Sequence, residues 1–263
     1  MEWNGAVAIV TGASRGIGRA VAVAAAERGA RMGLLARDEG DLRSVLAEIG
    51  GRGAVAVADV ADPDALRAAT DALESELGPV DVLVANAGIG AYGAFADLGR
   101  EELERIVRVN VLGTAHAIRA VVPGMIERRR GHIVTIGSIA GRIGSPFEAI
   151  YSATKFAGVG LTEALAVELE PYGVGVSIVN PGPVATAFGE ARGHPYDRDR
   201  PRPVPAEQVA AAVVKAVEDG VAEQYVPGSF RPAVVVRHLV PPLFRRGLKR
   251  NFTRELARDR ATR

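Results

Sequence analysis

The 263-residue sequence contains no cysteine. Disulfides and thiolate metal sites are therefore excluded, and a reducing compartment is compatible with the composition. Net charge is almost absent as well. Thirty-two Lys and Arg stand against 31 Asp and Glu, so no global basic field points to nucleic acid, and no nucleic-acid partner is expected. No apolar run reaches the roughly 20 residues of a spanning helix. The opening MEWNGAVAIVTGASRG runs directly into an apolar stretch and a glycine turn, without a signal-peptide layout, and the expected location is the cytoplasm. None of the four histidines is placed to complete a hydrolase triad, and Gly137-Ser-Ile-Ala-Gly141 is not a nucleophile elbow. No metal is expected, and no internal repeat or low-complexity tract is present.

What is present fits a folded α/β protein, with 48% hydrophobic and 24% charged residues. Short apolar runs alternate with helical patterns along the chain. Strands are expected at Ala6–Val10, Arg31–Ala36, Ala54–Ala58, Val80–Val84, His132–Ile136, Gly175–Val179 and Gln224–Val226. Helices are expected over Arg19–Arg28, Asp38–Ile49, Pro63–Leu77, Glu101–Ala120, Tyr151–Pro171 and Ala206–Asp219. The fold class is thus a doubly wound parallel sheet, a Rossmann fold of about seven strands in one domain, residues 1–228. Residues 229–263 form a basic amphipathic extension.

Between the first strand and the first helix lies Thr11-Gly12-Ala-Ser14-Arg15-Gly16-Ile17-Gly18. Glycines there let backbone N–H groups approach a pyrophosphate, where the helix dipole also favours negative charge. A plain tight turn would use glycine too, but the strand–loop–helix context is met. The second strand ends Ala36-Arg37-Asp38. Arg15 and Arg37 together can hold a 2′-phosphate through forked, charge-assisted hydrogen bonds. Both can equally be solvated surface arginines, and Asp38 is either a ribose contact or the N-cap of the following helix.

Tyr151 and Lys155 are four apart at the start of a helical pattern, so their side chains stack on one face. An ammonium beside a phenol favours the phenolate and makes the tyrosine usable as a general acid/base. Ser138 follows the strand His132–Ile136, at the sheet end where ligands of such folds collect. Taken alone, a Tyr-x-x-x-Lys pair is just as well a half-buried ring beside a solvated lysine.

The Gly-x-x-x-Gly-x-Gly spacing with Tyr-x-x-x-Lys downstream resembles the short-chain dehydrogenase/reductase family of NAD(P)-dependent oxidoreductases, over about the first 228 residues. The resemblance implies hydride transfer between nicotinamide and a carbonyl or alcohol substrate, with strand order 3-2-1-4-5-6-7. It gives Tyr151 the acid/base role and has Lys155 lower the phenol pKa and hold the nicotinamide ribose. Ser138 would orient the substrate oxygen. Asn110 would kink its helix and support a water-borne proton relay; read without the family it is a surface or packing residue. Asp59 and Val60 resemble the adenine contact, and Asn86-Ala87-Gly88 the turn beside the cofactor. Pro181, Gly182, Val184 and Thr186 resemble the residues at the nicotinamide end, while Ser14 and Ile17 complete the glycine loop. Arg15 and Arg37 favour NADP(H) over NAD(H). A homodimer or homotetramer through the helices 101–120 and 151–171 is the family expectation. A 3-oxoacyl-thioester reductase of fatty-acid type is the alternative enzyme, and a non-catalytic dinucleotide-binding sensor the alternative outside enzymology.

Residues 187–205 are rich in Gly, Pro and charge, as functional lids and disordered segments are. The resemblance implies that this region covers the substrate, so specificity is expected there and in 139–149. The tail from Ser229 carries ten Lys/Arg against two acids, leaving 22 Lys/Arg against 29 acids in the remainder. Apolar residues recur in it at near-helical spacing, and Pro241-Pro242 is expected to start a final helix at Leu243. Such a stretch, over 236–260, can pack on the substrate entrance, on a second subunit, or on an anionic membrane surface.

Overall fold

The computed structural model describes residues 1–194, 196, 201–253 and 255–257. Seven strands form one sheet: β1 (Val7–Thr11), β2 (Arg31–Ala36), β3 (Gly53–Val57), β4 (Val82–Ala85), β5 (Gly131–Ile136), β6 (Val174–Pro181) and β7 (Glu223–Val226). Their order is β3-β2-β1-β4-β5-β6-β7, and every pairing is parallel. Parallel strands are covered by helices on both faces, which is why these runs are apolar almost throughout. In β1 the side chains alternate between the two layers: Ala8 and Val10 join one core cluster, Val7 and Ile9 the other. The first layer holds α1 (Gly16–Ala26), α2 (Glu39–Glu48) and α8 (Ala206–Asp219), with Trp3 fully buried beneath them. The second holds α3 (Pro63–Leu77), α5 (Thr114–Arg128) and α6 (Ala149–Leu169).

One long helical path departs from the sequence expectation. It begins as α4 (Arg100–Val107), passes through a single π-helical turn at Arg108–Gly113, and continues as α5 to Arg128, eight residues beyond the expected end at Ala120. Pro123 lies inside it. The missing N–H leaves the carbonyl of the exposed Arg119 to water, so the helix survives its proline. By length and composition 100–128 is apolar enough to span a bilayer. Its apolar residues Ala117, Ile118, Val121 and Met125 are instead buried in the second core layer, among Leu66 and Leu73 of α3 and Ile133 of β5.

The C-terminal stretch differs too. An additional helix, α9 (Arg231–Leu239), precedes α10 (Pro241–Asn251), and α10 starts at Pro241 rather than Leu243. Both prolines occupy its first turn, where no N–H is needed. A four-residue helix, α7 (Phe188–Ala191), sits between β6 and α8.

Candidate active site

The strand order reverses between β1 and β4, and the crevice outside that switch point is where an open α/β sheet binds ligands. Here it opens into a cavity of about 1500 Å³. One end is built by the glycine loop. Gly12 and Gly16 hold φ of +65° and +56°, a left-handed conformation that side chains resist. Gly18 is needed for close approach, since a Cβ there would lie 2.2 Å from the Gly12 carbonyl oxygen. The N-terminus of α1 has no side-chain cap and no acidic residue in its first turn. Its backbone N–H groups are thus available to an anion, and the cradle fits a dinucleotide pyrophosphate.

Thr11 and Asn86 tie this loop to the end of β4. The Thr11 hydroxyl accepts from the backbone N–H of Asn86 and Ala87, each at 3.0 Å. Asn86 Nδ2 donates back to the carbonyls of Thr11 and Gly12, at 2.9 and 3.1 Å. Along the β2 side, Asp38 caps α2 by accepting from Asp41 N–H at 2.8 Å. Its carboxylate therefore takes the N-cap position left open by the sequence. Arg37 faces Asp59 at 3.9 Å, and Asp59 accepts from Ala61 N–H at 2.9 Å.

At the other end, Ser138 accepts from Ala140 N–H at 3.1 Å, and Ser138 and Tyr151 line the same stretch of the cavity. Lys155 Nζ donates to the Ile136 carbonyl at 2.9 Å and lies 5.7 Å from the centre of the Tyr151 ring. Both side chains border the cleft, walled in by protein. Burial pushes the phenol above its ordinary value, Ser138 and Arg192 pull it down, and Glu148 pushes it up. Burial lowers Lys155 to about 8. The expected lowering of the phenol pKa by the lysine is not what this arrangement gives: desolvation is the largest influence on the phenol, and it acts against the charged forms of both groups. A neutral phenol is the form that can give a proton to a carbonyl oxygen.

Asn110 sits in the π-helical turn, 5% exposed, behind Gly88 rather than in the cavity wall. Its side chain accepts from Ile89 N–H and donates to the Ile89 carbonyl, both at 2.8 Å, and donates to Thr154 at 3.0 Å. It thus locks the loop after β4 to the helix that carries Tyr151 and Lys155. Gly18 is likewise not part of the wall; every other residue expected in the site lines the cavity.

The substrate end holds residues the sequence did not single out. Arg192 forms an ion pair with Glu148, with side chains only 12% and 14% exposed. The Arg192 guanidinium lies 5.3 Å from the centre of the Tyr92 ring, which stacks on Phe147 and touches His194. Phe188 of α7 packs 5.6 Å from the Tyr151 ring. A bridge joins Val184, just before the expected lid segment, to Val204 near its end. Pro195 and residues 197–200 of the expected lid lie outside the described residues. No signal in a single sequence joins positions 148 and 192. Across the mouth, α9 and α10 supply Val236, Leu243, Phe244 and Leu248, and Phe252 follows just after α10. Phe252 is 6% exposed, and burial of such a ring contributes about 2–3 kcal/mol to holding the tail in place.

Known proteins match this arrangement. Residues 6–197 fit the family model adh_short, described as short chain dehydrogenase. The 3-oxoacyl-[acyl-carrier-protein] reductase FabG of Escherichia coli (strain K12) is 35% identical over 191 residues, 73% of this chain and 78% of that protein. The oxidoreductase UcpA of Salmonella typhimurium is 35% identical over 220 residues, 82% of this chain and 83% of that protein. A solved short chain dehydrogenase/reductase from Burkholderia phymatum, in complex with NAD, superposes with a TM-score of 0.84 at 29% identity, over 92% of this chain and 96% of that one. Sequence, fold and relatives agree, and the chain belongs to the short-chain dehydrogenase/reductase family of NAD(P)-dependent oxidoreductases.

Proposed function

We propose that the enzyme transfers hydride reversibly between NADP(H) and a carbonyl or alcohol carbon, with Tyr151 as its general acid/base. The observation that carries this reading is that Tyr151, Ser138 and Lys155 line the same cavity as the glycine cradle. The dinucleotide, when bound, supplies or accepts the hydride. In reduction Tyr151 donates its proton to the substrate oxygen, and in oxidation it takes that proton back. Ser138 holds the oxygen beside the phenol. Lys155 supports the ribose side and restores the charge balance of the phenol, and Asn110 positions both through the Ile89 loop and Thr154. Gly12, Gly16 and the first turn of α1 hold the pyrophosphate, and Asp59 and Val60 border the adenine.

NADP(H) is favoured because Arg15 and Arg37 border the cleft while Asp38 is committed to capping α2. The Tyr151→Phe variant should lose turnover while keeping its affinity for NADPH in a fluorescence titration. Retained turnover would sink the acid/base assignment, and equal binding of NADH and NADPH would sink the arginine clamp. A second reading, reduction of a 3-oxoacyl thioester, rests on the similarity to the FabG reductase. Turnover of a short 3-oxoacyl thioester in preference to simple ketones would favour it. The reading also includes a cytoplasmic homo-oligomer assembled through α4–α6. Exposed Val107, Leu112 and Val167 on that helical path and α6 support such a contact, and light scattering would give the mass.

A further inference from the structure

Among the described residues, five exposed large apolar side chains fall within nine positions of one another. Val235, Val236, Leu239, Val240 and Leu243 are all exposed, Leu239 by 75% and Leu243 by 59%, across the elbow between α9 and α10. Val107, Leu112 and Val167 lie on the helices of the proposed oligomer contact, and Val57, Phe95 and Tyr172 are spread over separate elements, where they need no special account. Charge supplies a second observation. Residues 229–253 contain six Lys/Arg and no Asp or Glu, and Arg245, Arg246, Lys249 and Arg250 stand exposed along α10. A third is continuity: Val236 and Leu243 belong both to the exposed ridge and to the wall of the cleft. Phe244 and Leu248 carry that apolar wall inward.

An apolar tip flanked by cations, with no acid between them, is the pattern of an element that lies in the headgroup region of an anionic bilayer. An acidic protein partner would use the cations but would have no need of a leucine three-quarters exposed at the tip. We propose that the α9–α10 elbow docks the enzyme on an anionic lipid surface and admits membrane-partitioned carbonyl or alcohol substrates into the cleft beneath it. Docking stands on the surface alone, whereas substrate entry rests on the oxidoreductase reading.

The test is co-sedimentation of the full chain with vesicles of phosphatidylcholine alone or mixed with phosphatidylglycerol. Binding should appear on the mixed vesicles only and weaken with salt. Leu239→Glu, and separately Arg245→Gln with Lys249→Gln, should each lower the partition coefficient at least about tenfold, with circular dichroism unchanged. None of these three residues lines the cleft. No partition, or equal partition of the variants, would overturn docking. Loss of a lipid-free oligomer in Leu239→Glu, with no vesicle binding by the parent, would overturn it in favour of a second copy of the chain. For substrate entry, a long-chain ketone presented in vesicles should be reduced faster by the parent than by Leu239→Glu, and a short soluble ketone equally. Equal rates on both ketones by a parent that does bind vesicles would overturn entry alone, and failure on both ketones would strike the oxidoreductase reading instead.

Discussion

The Glu148–Arg192 pair joins the lid to the segment that leads into the catalytic helix, and its removal should be felt as lid opening. Glu148 is also held by the Ser145 hydroxyl at 2.8 Å, so it stays in place when Arg192 is replaced. Breaking a fully buried pair by removing one partner costs about 3–5 kcal/mol, because the remaining charge is stranded. Here both side chains keep 12–14% of their surface, and the lid can lift to let an orphaned charge reach water. A cost of about 2 kcal/mol is therefore expected, or roughly a 30-fold loss of the closed-lid population at 1.4 kcal/mol per factor of ten. Glu148→Gln should raise KM for a ketone by that order, speed proteolytic cleavage of the lid, and leave the global urea midpoint nearly unchanged. Arg192→Met should do the same, and the double variant should cost much less than the sum. The two charges act oppositely on the phenol, so Glu148→Gln should lower the pH at which Tyr151 ionises and Arg192→Met should raise it. Additive single and double effects, or ionisation shifts of the same sign, would refute the latch.

Gly18→Ala would place a methyl 2.2 Å from the Gly12 carbonyl oxygen. The expected strain is about 1–3 kcal/mol, with cofactor affinity at least about tenfold weaker by titration; an unchanged Kd would contradict the close approach. His132 is buried, bonded to Ser177 at 2.8 Å, and held down to about 4 by desolvation. Between that value and the ordinary 6.5 the unfolded chain takes up a proton that the folded chain refuses. Stability should therefore fall by about 3 kcal/mol as pH drops through this window in urea melts, and the fall should disappear in His132→Gln. Lys155, lowered to about 8 by burial, should lose its proton just above neutral pH, so cofactor affinity should decline as pH rises past that value. Lys155→Arg should move the decline upward, and a flat profile in the parent would contradict the assignment.

Much of this fold was legible in the chain because its signals are local. The run Ala6–Val10, the glycines that follow and the alanine-rich helix specify the first unit within a few turns of sequence, and all seven expected strands are present. Strand order was not local; it came with the family resemblance. Tyr151 and Lys155 were readable because helical periodicity sets them side by side. Glu148 and Arg192 were not, since tertiary folding alone brings together positions 44 residues apart. The phenol shift was misjudged for a related reason: a charge four residues away is visible in sequence, whereas the protein wall that desolvates both groups is not. Helix α9 was not set out as a separate element: the near-helical spacing was read from Val236 on, whereas the helix starts at Arg231, with Pro232 in its first turn.

The π-helical turn at Arg108–Gly113 has a consequence for how this chain can vary. A π turn holds one residue more than an α turn, so each of its residues rotates by less than the about 100° of an α-helix. The extra residue is absorbed within the wide turn, and the helix on either side of it stays in phase. Excising one residue there would restore ordinary hydrogen bonding and still leave Ala117, Ile118, Val121 and Met125 facing the core. What would go is the local bulge that presents Asn110 to Ile89 and Thr154. The scaffold could lose that residue; the lock on the loop after β4 could not.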